Sequence, residues 1–523
     1  MKRLLSATAL AALSAGPALA DEPVAITMNA VQIFGTIDPA KINDYTEYMA
    51  ATNLYDGLTT VAAGGEIVPQ LAESWDVSED SLTYTFTLKE GATFQNDSPV
   101  EAADIVFSMQ RLLEINEGPA YLFADLVDPD GVKALDPRTV EITLNKVYAP
   151  FLTITPLILA VDEDRVKASD DDPWGEDQLA ETTLGAGPYR LDSWERGARM
   201  VLSRYEGYHG GFATNAEGTH PIDEISWVIT RDEATVRSLA QRGDLGMSSQ
   251  YQADATYENI DNLDGYDVNE AATATGFYLK LNNQVAPTDD VHVRRAIALA
   301  LDYETIRETI YPGEVMRGPI GDAFADAVPE AAAAPSFDLE AAKAELAKSK
   351  YAGDEPIPLD HVYVANTSFE EEIGLLLKAT LDRIGFDVTL RPEPWNRMTE
   401  LATSVETTPA TAQVFYGPTY PSPDSVYYVQ YHSEAAGTWS SMEWVQDPEL
   451  DSMINAARAE TDAKARDEIY RDIFTKMVDE QRSVWMLVQT QRHAINSCLE
   501  GFEWVPMQSW YFDFSRYGWS CAG

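Results

Sequence analysis

Residues 71–94 read LAESWDVSEDSLTYTFTLKEGATF. Leu82, Tyr84, Phe86 and Leu88 alternate with Thr83, Thr85 and Thr87, the period of a half-buried strand. Gly91 follows as a turn. The stretch holds no nucleophile, metal-ligand set or phosphate cradle. It is specific structure without chemistry, so it reads as scaffold.

The same period recurs around it. Strand signals dominate residues 24–230, as in VEITL (140–144) and ISWVIT (225–230). Helical signals dominate afterwards. In DVHVRRAIALALD, Val293, Ile297, Ala300 and Leu301 share a face. In EEIGLLLKATLDRIG, Ile373, Leu376, Leu377, Leu381 and Ile384 do the same, and Gly385 supplies a helix stop. FDVTL then alternates as a strand. Asp447-Pro448 is a cap residue followed by proline at the first helical position, and two helical segments follow it. DAVPEAAAAPSFD (326–338) is a loop. The chain is mixed α/β with more than one sheet and without strict βαβ alternation.

The 523 residues are 45% hydrophobic and 23% charged, a globular composition long enough for two or three domains. Lys2 and Arg3, the run LLSATALAALSAG and the small-x-small site Ala18-Leu19-Ala20 form a secretory signal peptide. The run is too short to span a bilayer, and no cysteine beside the cut offers a lipid site. The expected product is soluble, outside the cytoplasm and not lipid-anchored. A formal charge of −48 disfavours nucleic acid and anionic membranes as partners. Because the acid is spread along the whole chain, it reads as solubility in a salty medium rather than as a steering field. Cys498 and Cys521 are the two cysteines, an expected disulfide after export, with two buried free thiols as the other reading.

Catalytic motifs are absent. The histidines, at 209, 220, 292, 361, 432 and 493, form no HExxH or Cys/His cluster, and no metal or cofactor is expected. There is no GxSxG elbow and no Walker A loop. LGAGPY (184–189) lacks the GxGxxG spacing, and DPDG (128–131) lacks the remaining positions of a calcium loop. Aromatics are the positive signal. Phe34, Trp395, Tyr416, Tyr420 and Trp439 sit among Gly, Pro and Ser rather than on periodic faces, which suits a rigid, partly apolar cleft. Burial in a core is the competing reading for each of them singly.

Ordered blocks along the chain resemble the large extracytoplasmic solute-binding proteins of ABC importers, family 5, which includes oligopeptide, dipeptide and nickel receptors. The blocks are NLYDGL (53–58), IVPQLAESWDVSEDSLTYTFTLKEGATF (67–94), NDSPVEAADIVFS (96–108), TVEITLNKVYAPFL (139–152) and LGAGPYRLDSW (184–194). RSLAQRGDLG (237–246), FYLKLNN with VHVRRAIALALD (277–302), AELAKSKY, IGFDV, YPSPD and DPELD continue in order. The chain lacks the His-Asp-Gly element that usually follows the second block.

The resemblance implies an α/β, two-lobed periplasmic binding protein fold with an additional small domain, its mixed sheets joined by hinge strands. It apportions the mature chain into lobe I (21–64, 184–279 and 491–523), an extra structural domain (65–183) and lobe II (280–490). Leu279–Asn282 and Trp485–Gln489 are the expected crossings. The implied function is a receptor, not an enzyme. It captures a small polar solute or a short peptide between the lobes and delivers it, as a monomer, to permease subunits in the inner membrane. A secreted hydrolase is the remaining alternative. Expected ligand-binding residues are Phe34, Gly35, Tyr278, Trp395, Tyr416, Thr419, Tyr420 and Trp439.

One position bears on the solute. Peptide receptors of the family hold the ligand's α-amine with an aspartate a few residues before a proline, and alignment on Pro423-Asp424 puts that position at Thr419. A threonine cannot balance a buried ammonium. The resemblance thus implies a polar, non-peptide or amine-blocked solute, with short peptides as the alternative and Asp38 and Asp424 as the carboxylates to examine. For the leader, the intact mass of the exported protein should correspond to a chain starting at Asp21 without acyl mass; any other start or an acyl adduct contradicts the reading.

Overall fold

The computed structural model describes residues 23–31, 34–212, 219–508 and 511–521. The signal peptide expected at 1–20 lies outside the described residues.

The opening stretch forms two antiparallel strands, Ala72–Val77 and Thr83–Leu88, joined by a turn. Tyr84, Phe86 and Leu88 point inward and are almost fully buried, while the intervening threonines are half-exposed. Thr83–Leu88 also pairs with Thr139–Thr143, which pairs with Val132–Asp136, completing a four-stranded sheet. Helix Ala102–Ile115 covers it with Ile105, Met109 and Leu112. From that helix Arg111 reaches Asp38 with both terminal nitrogens, at 2.5 and 2.6 Å, and donates from Nε to the Trp174 carbonyl at 2.8 Å. Both members of the pair are 1% exposed.

The main sheet has eleven strands and runs through both lobes. Its centre is an antiparallel pair, β1 (Tyr266–Leu281) and, later in the chain, Ser483–Asn496. Between them in sequence comes β2 (Thr411–Tyr416), which pairs with the Gly276–Leu281 half of β1. We call Ser483–Asn496 β3. At its other end, β3 pairs through Ile495 with Met247 of Leu245–Met247, which leads to Ala25–Ala30 and Glu224–Ile229. The ladder between β1 and β3 breaks between Ala272 and Gly276, so the strands pass from one lobe to the other at Thr273–Thr275 and Gln489. Leu279–Asn282 therefore lies beyond the crossing: Leu279 is hydrogen-bonded in the lobe II sheet, between Gln413 and Val484. Of Trp485–Gln489, only Gln489 sits at the break.

Lobe II forms as its helix signals suggest. Helix α1, Tyr45–Leu54, belongs to lobe I and starts at Asp44, whose carboxylate accepts the Thr46 N–H. Helix α2, Ser368–Asp382, buries Ile373, Leu377 and Leu381 and ends before Gly385, whose φ of +108° is the left-handed backbone a helix stop requires. Asp447 caps helix Pro448–Ala459 by accepting the Glu449 and Leu450 N–H groups. In LGAGPY, Gly187 meets the Leu54 and Tyr55 backbone so closely that a Cβ would lie 2.5 Å from it.

Cys498 and Cys521 are bonded, clipping the C-terminal segment to the edge of lobe I. Phe514 from that segment packs edge-on against Trp227 in the lobe I core. No helix among the described residues is long and apolar enough to cross a membrane.

Two changes test this framework by urea unfolding. Replacing both cysteines with serine should cost about 3 kcal/mol, the loop-closure term for so short a loop. Asp38→Asn, which strands a buried guanidinium, should cost about 3–5 kcal/mol. A loss below about 1 kcal/mol in either variant contradicts the corresponding role.

Candidate functional site

Between the lobes lies a cavity of about 310 Å3. Lobe I supplies Asp44 and Tyr45 at the start of α1, Arg231, and the Gln250–Ala253 loop. Lobe II supplies the Asn366–Glu370 turn that begins α2, the end of β2 and the aromatic residues Trp395 and Trp439. The crossing strands contribute Thr275 and Gln489 to the same wall. Gln489 donates from Nε2 to the Tyr311 hydroxyl at 2.8 Å.

Four of the eight residues expected from sequence line this space: Trp395, Tyr416, Thr419 and Trp439. Trp439 meets Trp395 edge-on at 5.2 Å and Tyr416 at 5.9 Å, so the three rings form one aromatic wall. The Tyr416 hydroxyl is tied to the Ser425 carbonyl at 2.6 Å. Thr419 is held by its backbone: its N–H donates to Ser425 Oγ, and its carbonyl accepts from Gln508 Nε2.

The other four stand elsewhere. Phe34 is 2% exposed and packs against Trp227 in the lobe I core. Gly35 is exposed on the adjoining loop, its carbonyl accepting from Arg196. Tyr278 is buried in lobe II with its hydroxyl on the Pro319 carbonyl. Tyr420 is buried with its hydroxyl on Asp424. The two carboxylates held in reserve are also committed. Asp38 is clamped by Arg111. Asp424, fully buried, accepts from Tyr148 at 2.6 Å and Tyr420 at 2.9 Å, with Arg458 3.5 Å away. Tyr148 comes from the segment after the four-stranded sheet, and the neighbouring Ala149 N–H donates to the Arg458 carbonyl, so this cluster bridges to lobe II away from the cavity.

The sequence reading missed Glu370, the buried acid of the cavity wall. It is 4% exposed, and its Oε2 accepts the Val364 N–H at 2.6 Å. Burial pushes its carboxyl up to about 8. Its signal was its spacing: Glu370 is three and seven residues before the buried Ile373 and Leu377, on the inward face of α2. Glu47, in the first turn of α1, is pushed up to about 7 by burial and the neighbouring Asp44 charge. Among the described residues, no three His, Cys, Asp or Glu side chains gather as a metal site.

The comparisons with known proteins decide the family. The family model for bacterial extracellular solute-binding proteins, family 5, matches residues 66–438. The chain belongs to that family. Its place is thus among the solute-binding receptors of ABC importers. It is 28% identical over 498 residues to the probable D,D-dipeptide-binding periplasmic protein of Escherichia coli K12, covering 92% of this chain and 91% of that one. It superposes with a TM-score of 0.84, at 20% identity, on the Helicobacter pylori ABC transporter-associated periplasmic binding protein in complex with peptide STSA, covering 96% and 99% of the two chains. It also superposes, with a TM-score of 0.80 at 21% identity, on an Agrobacterium binding protein in complex with agropinic acid, covering 95% and 98%. The two-lobed fold of this family-5 member is common to all of these.

The raised carboxyls set a pH dependence. Glu370 and Glu47 bind protons more tightly folded than unfolded, where the ordinary value is 4.5. Between that value and about 8 the unfolded chain holds fewer protons, so stability falls as pH rises. The unfolding free energy of ligand-free protein, from urea titrations, should drop between pH 5 and pH 8.5, by up to about 1.4 kcal/mol per pH unit for each group inside its window. Glu370→Gln should flatten the upper part of that curve; an unchanged slope contradicts the assignment.

Proposed function

We propose that this chain captures a small polar solute in the cleft between its lobes and hands it to the permease of an ABC importer, working in the periplasm after its leader is removed. The observation that carries the reading is the cavity, whose walls come from both lobes and from the two strands joining them. A solute bound there contacts every part that would move in hinge closure, and so couples occupancy to shape. The volume, about 310 Å3, lies at the small end for ligand pockets and suits a compact solute. The aromatic wall offers flat faces to a ring or an apolar side chain.

Thr419 supports a solute that does not place an α-ammonium at that wall. Short peptides are the second reading, favoured by the relative named as a probable D,D-dipeptide-binding protein and by the neighbour in complex with peptide STSA.

A solute-library melting screen on refolded, ligand-free protein tests the receptor reading. A true solute at a hundredfold excess over its Kd should stabilise by about 2.7 kcal/mol and be recovered with unchanged mass. Solution scattering should show a smaller radius of gyration when it is bound. Turnover of the solute would overturn the receptor in favour of a hydrolase. Calorimetry with a mixed di- to pentapeptide library decides between solute classes: binding that vanishes on N-acetylation would establish a free-amine peptide.

A further inference from the structure

The cleft beneath the first turn of α2 is rich in acceptors and short of donors. Gln413, on β2, is fully buried and lines the cavity beside Glu370. A hydrogen-bond relay fixes which way its amide faces. Thr411 Oγ1 donates to the Asp360 carbonyl at 3.0 Å, so it accepts from His361 Nδ1–H at 2.9 Å. Burial pushes the His361 ring down to about 3, so the ring is neutral and its Nε2 is an acceptor. That nitrogen takes one Gln413 Nε2–H at 2.8 Å, and the Glu370 carbonyl takes the other at 3.0 Å. Both amide hydrogens are used. What remains is Gln413 Oε1, a buried acceptor with no donor. Gln250, on the opposite lobe, is 5% exposed, lines the same cavity and likewise has an unpartnered Oε1. Unpartnered buried acceptors are costly, and each calls for a donor from whatever enters the space.

Charge points the same way. Arg231 is the sole basic side chain among the described lining residues; its Nε donates to the Val31 carbonyl, and its charge acts on Glu370 without offsetting the effect of burial there. Asp44, Glu233 and Glu370 are the acids of the wall. The start of α2 would by itself suit an anion, but Glu370 and Glu371 already occupy its first turn.

We propose that Glu370, with the amide oxygens of Gln413 and Gln250, forms a subsite for a cationic nitrogen of the solute, an ammonium or amidinium group. The subsite rests on the receptor reading and deepens it: the cation is placed under α2 and not at Thr419. An ammonium brings three donors and a guanidinium five, matching the acceptors here; burial holds the empty-site Glu370 carboxyl protonated up to about 8, so a bound cation would favour the carboxylate and release that proton.

The test uses full-length, ligand-free protein and Glu370→Gln, which keeps the side chain's shape and an acceptor for Val364 N–H. Methylammonium and methylguanidinium chloride serve as probes in melting experiments at pH 8.5, where the Glu370 carboxyl is ionised, against sodium chloride and sodium acetate at matched ionic strength. The organic cations should raise the wild-type midpoint above the sodium chloride control, and E370Q should lose that increment. No cation-specific shift, an equal shift in both proteins, or a larger shift with acetate would overturn the subsite. If E370Q misfolds, a wild-type crystal soaked in methylguanidinium decides, by density within hydrogen-bond distance of Glu370 or its absence. The solute found by library screening should carry a cationic nitrogen and bind E370Q at least tenfold more weakly, with the exposed-site control Glu371→Gln within twofold of wild type. A neutral or anionic solute held equally by both proteins overturns the cation subsite and leaves the receptor intact. A screen without any solute counts against the receptor, while the probe experiments still decide the subsite.

Discussion

The structure depends on one backbone constraint: β1 and β3 must stay paired while passing from one lobe into the other. Peptide groups inside a protein cannot be left unbonded, so a ladder interrupted at the crossing has to be repaired locally. Here the repair is visible. Thr273 Oγ1 donates to the Gln489 carbonyl at 3.1 Å, and Ala274 N–H donates to the Pro506 carbonyl at 2.7 Å. With those groups satisfied, the strands can change partners. β1 gains β2 on the lobe II side, and β3 gains Leu245–Met247 on the lobe I side. The cavity forms where the partners change, which is why Thr275 and Gln489 line it.

Elsewhere the protein places buried charge with compensation. Asp38 and Arg111 form a two-pronged pair at 1% exposure. Lys280 and Glu443, 3.0 Å apart in lobe II, are both buried; Lys280 also donates to the Ser440 carbonyl, and Glu443 accepts from the Ser483 hydroxyl. Asp424 has two tyrosine hydroxyls and an arginine. Such pairs hold parts in register, and removing one member leaves the other exposed to the full cost of burial. Glu370 is held differently: its hydrogen bond comes from the neutral Val364 N–H, and the Arg231 charge acts on it across the cleft.

Much of this was legible in the sequence where the signal is local. Alternation at 82–88, the Gly385 stop and the Asp447-Pro448 cap each specify their structure through neighbouring residues alone, and the two lone cysteines could pair only with each other. The loop aromatics were partly legible. Trp395, Tyr416 and Trp439 meet at the cleft, whereas Phe34 and Tyr420 turn inward to Trp227 and Asp424. Composition around a loop aromatic says that the chain turns there and not which side of the turn is wet. Tyr278 and the crossing at Thr273–Thr275 were hidden for another reason. FYLKLNN reads as uninterrupted strand, and the break just before it, at Thr273–Thr275, exists only relative to β3, some two hundred residues away. Glu370 was legible in principle by helical spacing, but it stands at the head of three consecutive acids that together look like a solvated face.

The bridge from Tyr148 to Asp424, with Ala149 bonded to the Arg458 carbonyl, joins the segment after the small sheet to lobe II at a point away from the cavity. Parting the lobes at that point would break those bonds whether or not a solute is present. The balance between joined and parted forms is then partly set by residues that never meet the ligand. Because apparent affinity scales with the fraction of molecules already in the binding-competent form, in a receptor whose lobes part such a remote contact would act as a gain control. Selection could tune the concentration at which import begins by altering Tyr148, without changing what the cleft recognises.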